Sequence, residues 1–141
     1  KEGNGRLFLD ERTLWPGGQF VTAHLIVSTK FLKEHPDLVK NWIRAHVELT
    51  DWINGNVPEA KKLLNAQIQK ETGKALPATV LDEAWGRLQV TADPLRNSLL
   101  NSARSAYDAG FLGKQMPDLS QLYDLTLLDQ ILVEKGKKAV Q

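Results

Sequence analysis

Three histidines are the side chains in this sequence that could bind a metal or act as a general base: His24, His35 and His46. A zinc site on a helix needs two histidines one turn apart, or a tight cluster of histidine and carboxylate side chains. His35 and His46 lie much further apart than one turn, and no neighbouring residue completes a ligand set. We therefore predict no metal site. His24 lies within an apolar run, and we interpret it as a hydrogen-bonded structural residue.

The other signatures of catalysis are also missing from the sequence. It contains no Gly-x-Ser-x-Gly motif, no phosphate-binding loop and no dinucleotide-binding fingerprint. It contains no cysteine, which excludes thiol catalysis and disulfides. Asp82 and Glu83 are adjacent, so on a helix they point in different directions and do not form a catalytic pair. We predict a protein that is not an enzyme, with no catalytic residue and no cofactor.

Length and charge narrow the class of protein further. The chain has 141 residues, of which 42% are hydrophobic, and a net charge of +1. This length and apolar content are enough for one hydrophobic core. The small net charge and the scattered aromatic residues argue against a nucleic-acid partner. No apolar run approaches the ~20 residues that span a bilayer. The start, residues 1–5, is polar and lacks a methionine, so we expect a cut-out or processed portion of a longer protein.

One segment has the composition of a β-strand. Residues 17–28 begin with two glycines and are then rich in β-branched and aromatic side chains. The nearly continuous apolar run at residues 24–27 indicates burial on both faces. We predict a strand within residues 19–27, and a shorter one at residues 6–10.

Most of the remaining chain shows helical periodicity. Capping residues, prolines at helix starts and glycines at helix ends predict helices over residues 37–54, 58–72, 79–87, 94–109 and 126–135. Ser28 or Thr29 should cap a short helix ahead of these. In the longest helix we expect Trp42 to be buried in one apolar stripe.

Five stretches, taken in order, resemble the substrate-binding proteins of ABC importers for aliphatic sulfonates, nitrate and taurine. They are residues 14–22 (LWPGGQFVT), 31–39 (FLKEHPDLV), 93–95 (DPL), 106–112 (AYDAGFL) and 122–126 (LYDLT). The resemblance extends over essentially the whole chain, and its specificity lies in the order of the motifs.

The resemblance implies an α/β type II periplasmic binding protein fold, of which this chain would be the C-terminal part, predominantly α-helical with a few short strands. Residues 1–18 would complete the second lobe. Residues 19–141 would supply the hinge strand and the C-terminal helices of the first lobe. The implied function is capture of a small anionic solute (a sulfonate, nitrate or taurine) by hinge closure, followed by delivery to the membrane permease. The implied location is periplasmic or extracytoplasmic, with a membrane anchor as one option.

Gln19, Phe20 and Thr22 are the ligand-binding candidates that this resemblance places beside the crossover. Two alternatives stay open at this point: an enzyme similar to the thiamine-pyrimidine synthases, which share the lobe architecture, and a helical protein-interaction module. An unpaired strand edge recruits other chains. We therefore also expect the isolated chain to self-associate around residues 19–27.

Overall fold

The computed structural model describes residues 5–140, and all regular structure within them is helical. Two short 3-10 helices come first, Glu11–Leu14 and Pro16–Gly18. Six α-helices follow: α1 Thr29–Glu34, α2 Pro36–Gly55, α3 Val57–Thr72, α4 Ala78–Trp85, α5 Arg96–Asp108 and α6 Thr126–Glu134.

The predicted strands are absent from the described part of the chain, so the α/β type II periplasmic binding fold is wrong for it. Residues 5–10 are irregular, and the segment 19–28 bends at Thr22. Gln19 has strand-like backbone angles (φ −116°, ψ 133°), yet no main-chain hydrogen bond to a described residue involves residues 20–27. Composition favours extended backbone locally, but a strand also needs a partner to pair with.

The helix predictions are confirmed, with every end within two residues. Ser28 caps α1, its Oγ accepting from the Phe31 N–H at 3.1 Å. Pro36 opens α2, and Gly73 ends α3 in the left-handed conformation (φ 80°). The largest differences, of two residues, are at the end of α4 and the start of α5. No helix among residues 5–140 is long and apolar enough to cross a membrane.

The chain divides into two compact units. One is formed by residues up to 26 together with residues 94–124, and therefore includes α5. The other is formed by residues 27–93 together with residues from 125 onward, and includes the remaining five α-helices.

The core of the second unit lies where α2 packs against α6. Val47 and Ile131 are fully buried there, with Leu128 and Leu132 beside them and Ile43 partly buried. On α2 the inward face is defined by its buried residues, Val39, Val47 and Thr50.

The prediction that Trp42 is buried is wrong, because its side chain is 54% exposed. Trp42 precedes the core residue Ile43, and one helical position rotates a side chain by about 100°. The apolar residues of α2 therefore form two neighbouring stripes, of which only one faces α6.

Ion pairs flank this core on the surface between α2 and α6. The Glu134 carboxylate accepts from Arg44 Nη2 at 2.6 Å and from Lys40 Nζ at 3.0 Å. Lys135 pairs with Glu48 at 3.0 Å, and Lys137 pairs with Asp51. Such exposed pairs are individually weak, but together they favour one register of the two helices.

Because Glu134 takes part in these ion pairs, the stability of the contact between α2 and α6 should depend on pH. The hydrogen bond from Arg44, and then that from Lys40, lower the pKa of its carboxyl from the ordinary 4.5. Because the pKa is lowered in the folded chain, the stabilisation is present above the unfolded value and is lost as the pH falls through the folded value. We expect Glu134→Gln to lower the free energy of unfolding slightly at neutral pH, with the difference from the parent closing well below pH 4.5.

Urea denaturation of the parent chain and of Glu134→Gln, at neutral pH and well below pH 4.5, measures this difference in the free energy of unfolding. Glu34→Gln is the control, because among the described residues Glu34 forms an ion pair with Lys30 of its own helix, at 3.9 Å. A deficit of the same size at both pH values would contradict the assignment.

Candidate functional site

Residues 10–18 form a compact turn that presents Trp15. The Asp10 carboxylate accepts from the Arg12 main-chain N–H at 3.1 Å and from Arg12 Nη2 at 2.6 Å, which caps the first 3-10 helix. The indole N–H of Trp15 donates to Glu11 Oε1 at 3.3 Å. Gly17 then adopts a left-handed conformation (φ 66°), which favours glycine and redirects the chain after Trp15.

The three predicted ligand-binding residues follow this turn on one short strip. Phe20 stacks on Trp15, with ring centroids 5.7 Å apart and an interplanar angle of 27°. Gln19 and Phe20 are half-buried, and Thr22 is exposed. The Thr22 hydroxyl makes no hydrogen bond to a described residue. We call residues 15–22 the aromatic strip: it places the Trp15–Phe20 ring pair beside the Thr22 hydroxyl and the main-chain groups of residues 20–22.

His24 ties the residues after this strip to the rest of its unit. Its Nε2 lies 2.9 Å from the Pro94 carbonyl oxygen and 2.9 Å from the Tyr123 hydroxyl. A carbonyl oxygen only accepts, so Nε2 carries a proton and donates it to Pro94. The rings of His24 and Tyr123 meet edge to face, 5.7 Å apart. His24 is therefore a hydrogen-bonded structural residue, as the sequence indicated.

The backbone next to the hydrogen bond between His24 and Pro94 is strained. Leu95 has φ 50° and ψ 52°, and it alone among the described non-glycine residues has a positive φ. A left-handed residue with a bulky side chain costs roughly 1–2 kcal/mol. The Pro94 carbonyl that accepts from His24 belongs to the peptide group directly before Leu95. The hydrogen bond from His24 to the Pro94 carbonyl therefore stabilises the turn that the left-handed Leu95 creates.

Sequence reasoning missed Tyr123, Pro94 and Leu95 as members of this cluster. The sequence predicted a helix that starts at Pro94. In the structure α5 starts two residues later, with Leu95 in the N-cap position. No sequence signal links His24 to Tyr123, since 99 positions separate them.

The other two histidines have different surroundings. His35 packs its ring against Phe31 at 4.8 Å, and His46 is exposed on α2. Across residues 5–140, no three histidine, aspartate or glutamate side chains come close enough together to hold a metal ion.

A shallow depression between α3 and α4 has a structural explanation. Asn65 donates to and accepts from the main chain of Leu76, at 2.9 and 2.8 Å, which fixes the connection between the two helices. Lys61 pairs with Asp82 at 2.8 Å and lies over the Trp85 ring. The Asn65 amide and the Lys61 ammonium group already contact other residues of the chain, so we assign no ligand to this depression.

Comparison of the chain with protein-family models, curated proteins and solved structures found no match. The geometry of the aromatic strip offers apolar ring surface and hydrogen-bond donors next to each other.

Proposed function

We propose that this chain is the substrate-binding component of an ABC importer for small sulfonates, nitrate or taurine. The observation that carries the proposal is the aromatic strip, where the Trp15–Phe20 stack adjoins the Thr22 hydroxyl and the main-chain N–H groups of residues 20–22. The ordered motifs of residues 14–126 add support. In this proposal the chain acts outside the cytoplasmic membrane and delivers its solute to the membrane permease.

The strip fits the chemistry of these solutes. Sulfonate and nitrate oxygens accept hydrogen bonds, and a bond to a charged acceptor is about twice as strong as a neutral one. Main-chain N–H groups and the Thr22 hydroxyl supply donors without a full counter-charge. The alkyl part of a sulfonate can lie against Trp15, and the ammonium group of taurine is attracted to an aromatic ring face.

Removal of the Thr22 hydroxyl tests this assignment. We expect ethanesulfonate and taurine to bind weakly and saturably, and Thr22→Val to weaken binding by roughly ten- to a hundredfold. Loss of a hydrogen bond to a charged group costs about 1.5–3 kcal/mol. Saturation-transfer NMR, which observes the ligand's own protons, measures such weak binding directly.

Thr79→Val is the matched control, because Thr79 is an exposed threonine on α4, far from the strip in sequence. It should bind both solutes like the parent chain. Equal binding by Thr22→Val and Thr79→Val would refute the role of the strip.

A helical protein-interaction module is the second candidate, and one observation favours it. The chain exposes large apolar side chains, among them Phe8 (99%), Ile26 (82%) and Phe111 (82%). Extensive exposed apolar surface marks sites of protein–protein contact. Absence of any solute binding, together with stable capture of a defined protein partner, would favour this function over the first.

A further inference from the structure

The turn that presents Trp15 carries an exposed carboxylate, Glu11, which forms no ion pair with another described residue. Glu11 Oε1 accepts the indole N–H of Trp15 at 3.3 Å. A carboxylate has about four lone-pair sites, so one accepted hydrogen bond leaves most of its capacity for a ligand. Glu11 therefore offers a negative charge next to the aromatic strip.

The basic residue of this turn already has a partner. Arg12 donates to the Asp10 carboxylate through Nη2 at 2.6 Å and through Nε at 3.0 Å, a two-bond geometry that pairs the opposite charges closely. Residues 10–22 contain two acidic side chains and one basic side chain, so one negative charge remains in excess. The pairing of Arg12 with Asp10 assigns that excess charge to Glu11. A cationic group at the strip is therefore attracted, and a plain anion is repelled.

The ring pair of the strip favours the same kind of group. Trp15 and Phe20 stack with their centroids 5.7 Å apart. An aromatic face carries the negative part of the ring's quadrupole and attracts an ammonium group within about 6 Å. The Trp15 indole joins the two features, because it donates to Glu11 and stacks on Phe20. The carboxylate and the ring surface therefore adjoin each other at Trp15.

The donors for an oxyanion follow directly along the chain. Thr22 is exposed and comes two residues after Phe20. One short segment thus combines attraction for a positive group at Trp15 with donors for a negative group at residues 20–22. A small zwitterion satisfies both, whereas a plain anion meets the same donors together with the repulsion of Glu11.

We propose that Glu11 is the specificity-determining residue of the strip and binds the ammonium group of an aminoalkanesulfonate, whose sulfonate group is bound at Thr22. This role of Glu11 rests on the proposed function and narrows its solute class. Solutes that carry both an ammonium group and an oxyanion bind in preference to nitrate and to sulfonates without an amine.

Taurine and ethanesulfonate are matched probes of this preference, because they share the ethyl chain and the sulfonate, and taurine adds the ammonium group. In saturation-transfer NMR with the full chain, taurine should bind roughly two- to fivefold more tightly than ethanesulfonate, the range for an exposed ion pair. Raising the salt concentration should reduce this difference, because salt screens exposed charges.

Glu11→Gln separates the charge of residue 11 from its hydrogen bond. The variant keeps an oxygen that can accept from the Trp15 indole and removes the negative charge. It should lose most of the preference for taurine, and its affinity for ethanesulfonate should rise slightly because the repulsion is gone. Glu34→Gln is the control, since it removes the same charge from α1, and it should keep the preference of the parent chain.

The two solutes also separate this role of Glu11 from the proposed function. Equal binding of taurine and ethanesulfonate by the parent chain would overturn the role of Glu11 and leave sulfonate binding by the strip intact. A preference for taurine that persists in full in Glu11→Gln would do the same. Binding of neither solute by the parent chain would overturn the role of Glu11 and the proposed function together.

Discussion

Ile131→Ala is expected to cost about 2–5 kcal/mol of the free energy of unfolding, the range for truncating a large aliphatic core side chain. Ile131 is fully buried and packs with Val47, Leu128 and Leu132 between α2 and α6. The substitution removes apolar contacts and leaves a cavity that the rigid helix pair fills only in part. Chemical denaturation monitored by far-UV circular dichroism measures the loss.

Val133→Ala is the control on the same helix. Val133 is 63% exposed, so its truncation should change the free energy of unfolding by less than about 0.5 kcal/mol. If the two variants lost equal stability, the inward face of α6 would be misassigned, and the core of the second unit with it.

His24→Ala is expected to destabilise the first unit by about 1–3 kcal/mol, since it leaves the half-buried Pro94 carbonyl without its donor. The effect should be largest in α5, whose first turn follows Leu95. Amide hydrogen exchange of α5 resolves this loss even where the second unit stays folded. Tyr123→Phe should cost less, because the bond from His24 to Pro94 remains.

Leu95→Gly separates strain from the hydrogen bond. Glycine accepts the left-handed conformation, so this change relieves roughly 1–2 kcal/mol of strain and loses about 0.5–1 kcal/mol of backbone entropy. The single variant should be near neutral or slightly stabilising. Combined with His24→Ala, Leu95→Gly should recover part of the hydrogen-exchange protection of α5. The reason is that the bond from His24 to Pro94 and the conformation of Leu95 act on the same turn. Strictly additive effects would show that the histidine does not hold this turn.

The helices could be predicted from sequence because their signals are local. Ser28, Pro36 and Gly73 act within one or two turns of their own positions, and each begins or ends a helix as expected. The strand predicted within residues 19–27 is absent from the structure. Its side chains favour extended backbone, but pairing depends on a second segment that no local pattern reveals.

Trp42 shows a different limit of sequence analysis. Apolar residues on α2 occupy two adjacent stripes, and from the sequence these merge into one wide face. The packing of α6 against Ile43 and Val47 decides which stripe is buried. The candidate site was predictable only where its residues are close in sequence. Gln19, Phe20 and Thr22 lie together because they are neighbours in the chain. The bridge from His24 to Tyr123 joins residues 99 positions apart, beyond the reach of any periodicity.

In the proposed function, the aromatic strip binds a small oxyanion through the Thr22 hydroxyl and the main-chain N–H groups of residues 20–22. Mapping the main-chain amide signals by NMR during an ethanesulfonate titration tests it most directly. We expect saturable shifts concentrated at residues 19–22 and at the indole N–H of Trp15, with the core signals of Val47 and Ile131 unchanged. Shifts spread evenly over the chain, or none at residues 19–22, would contradict it.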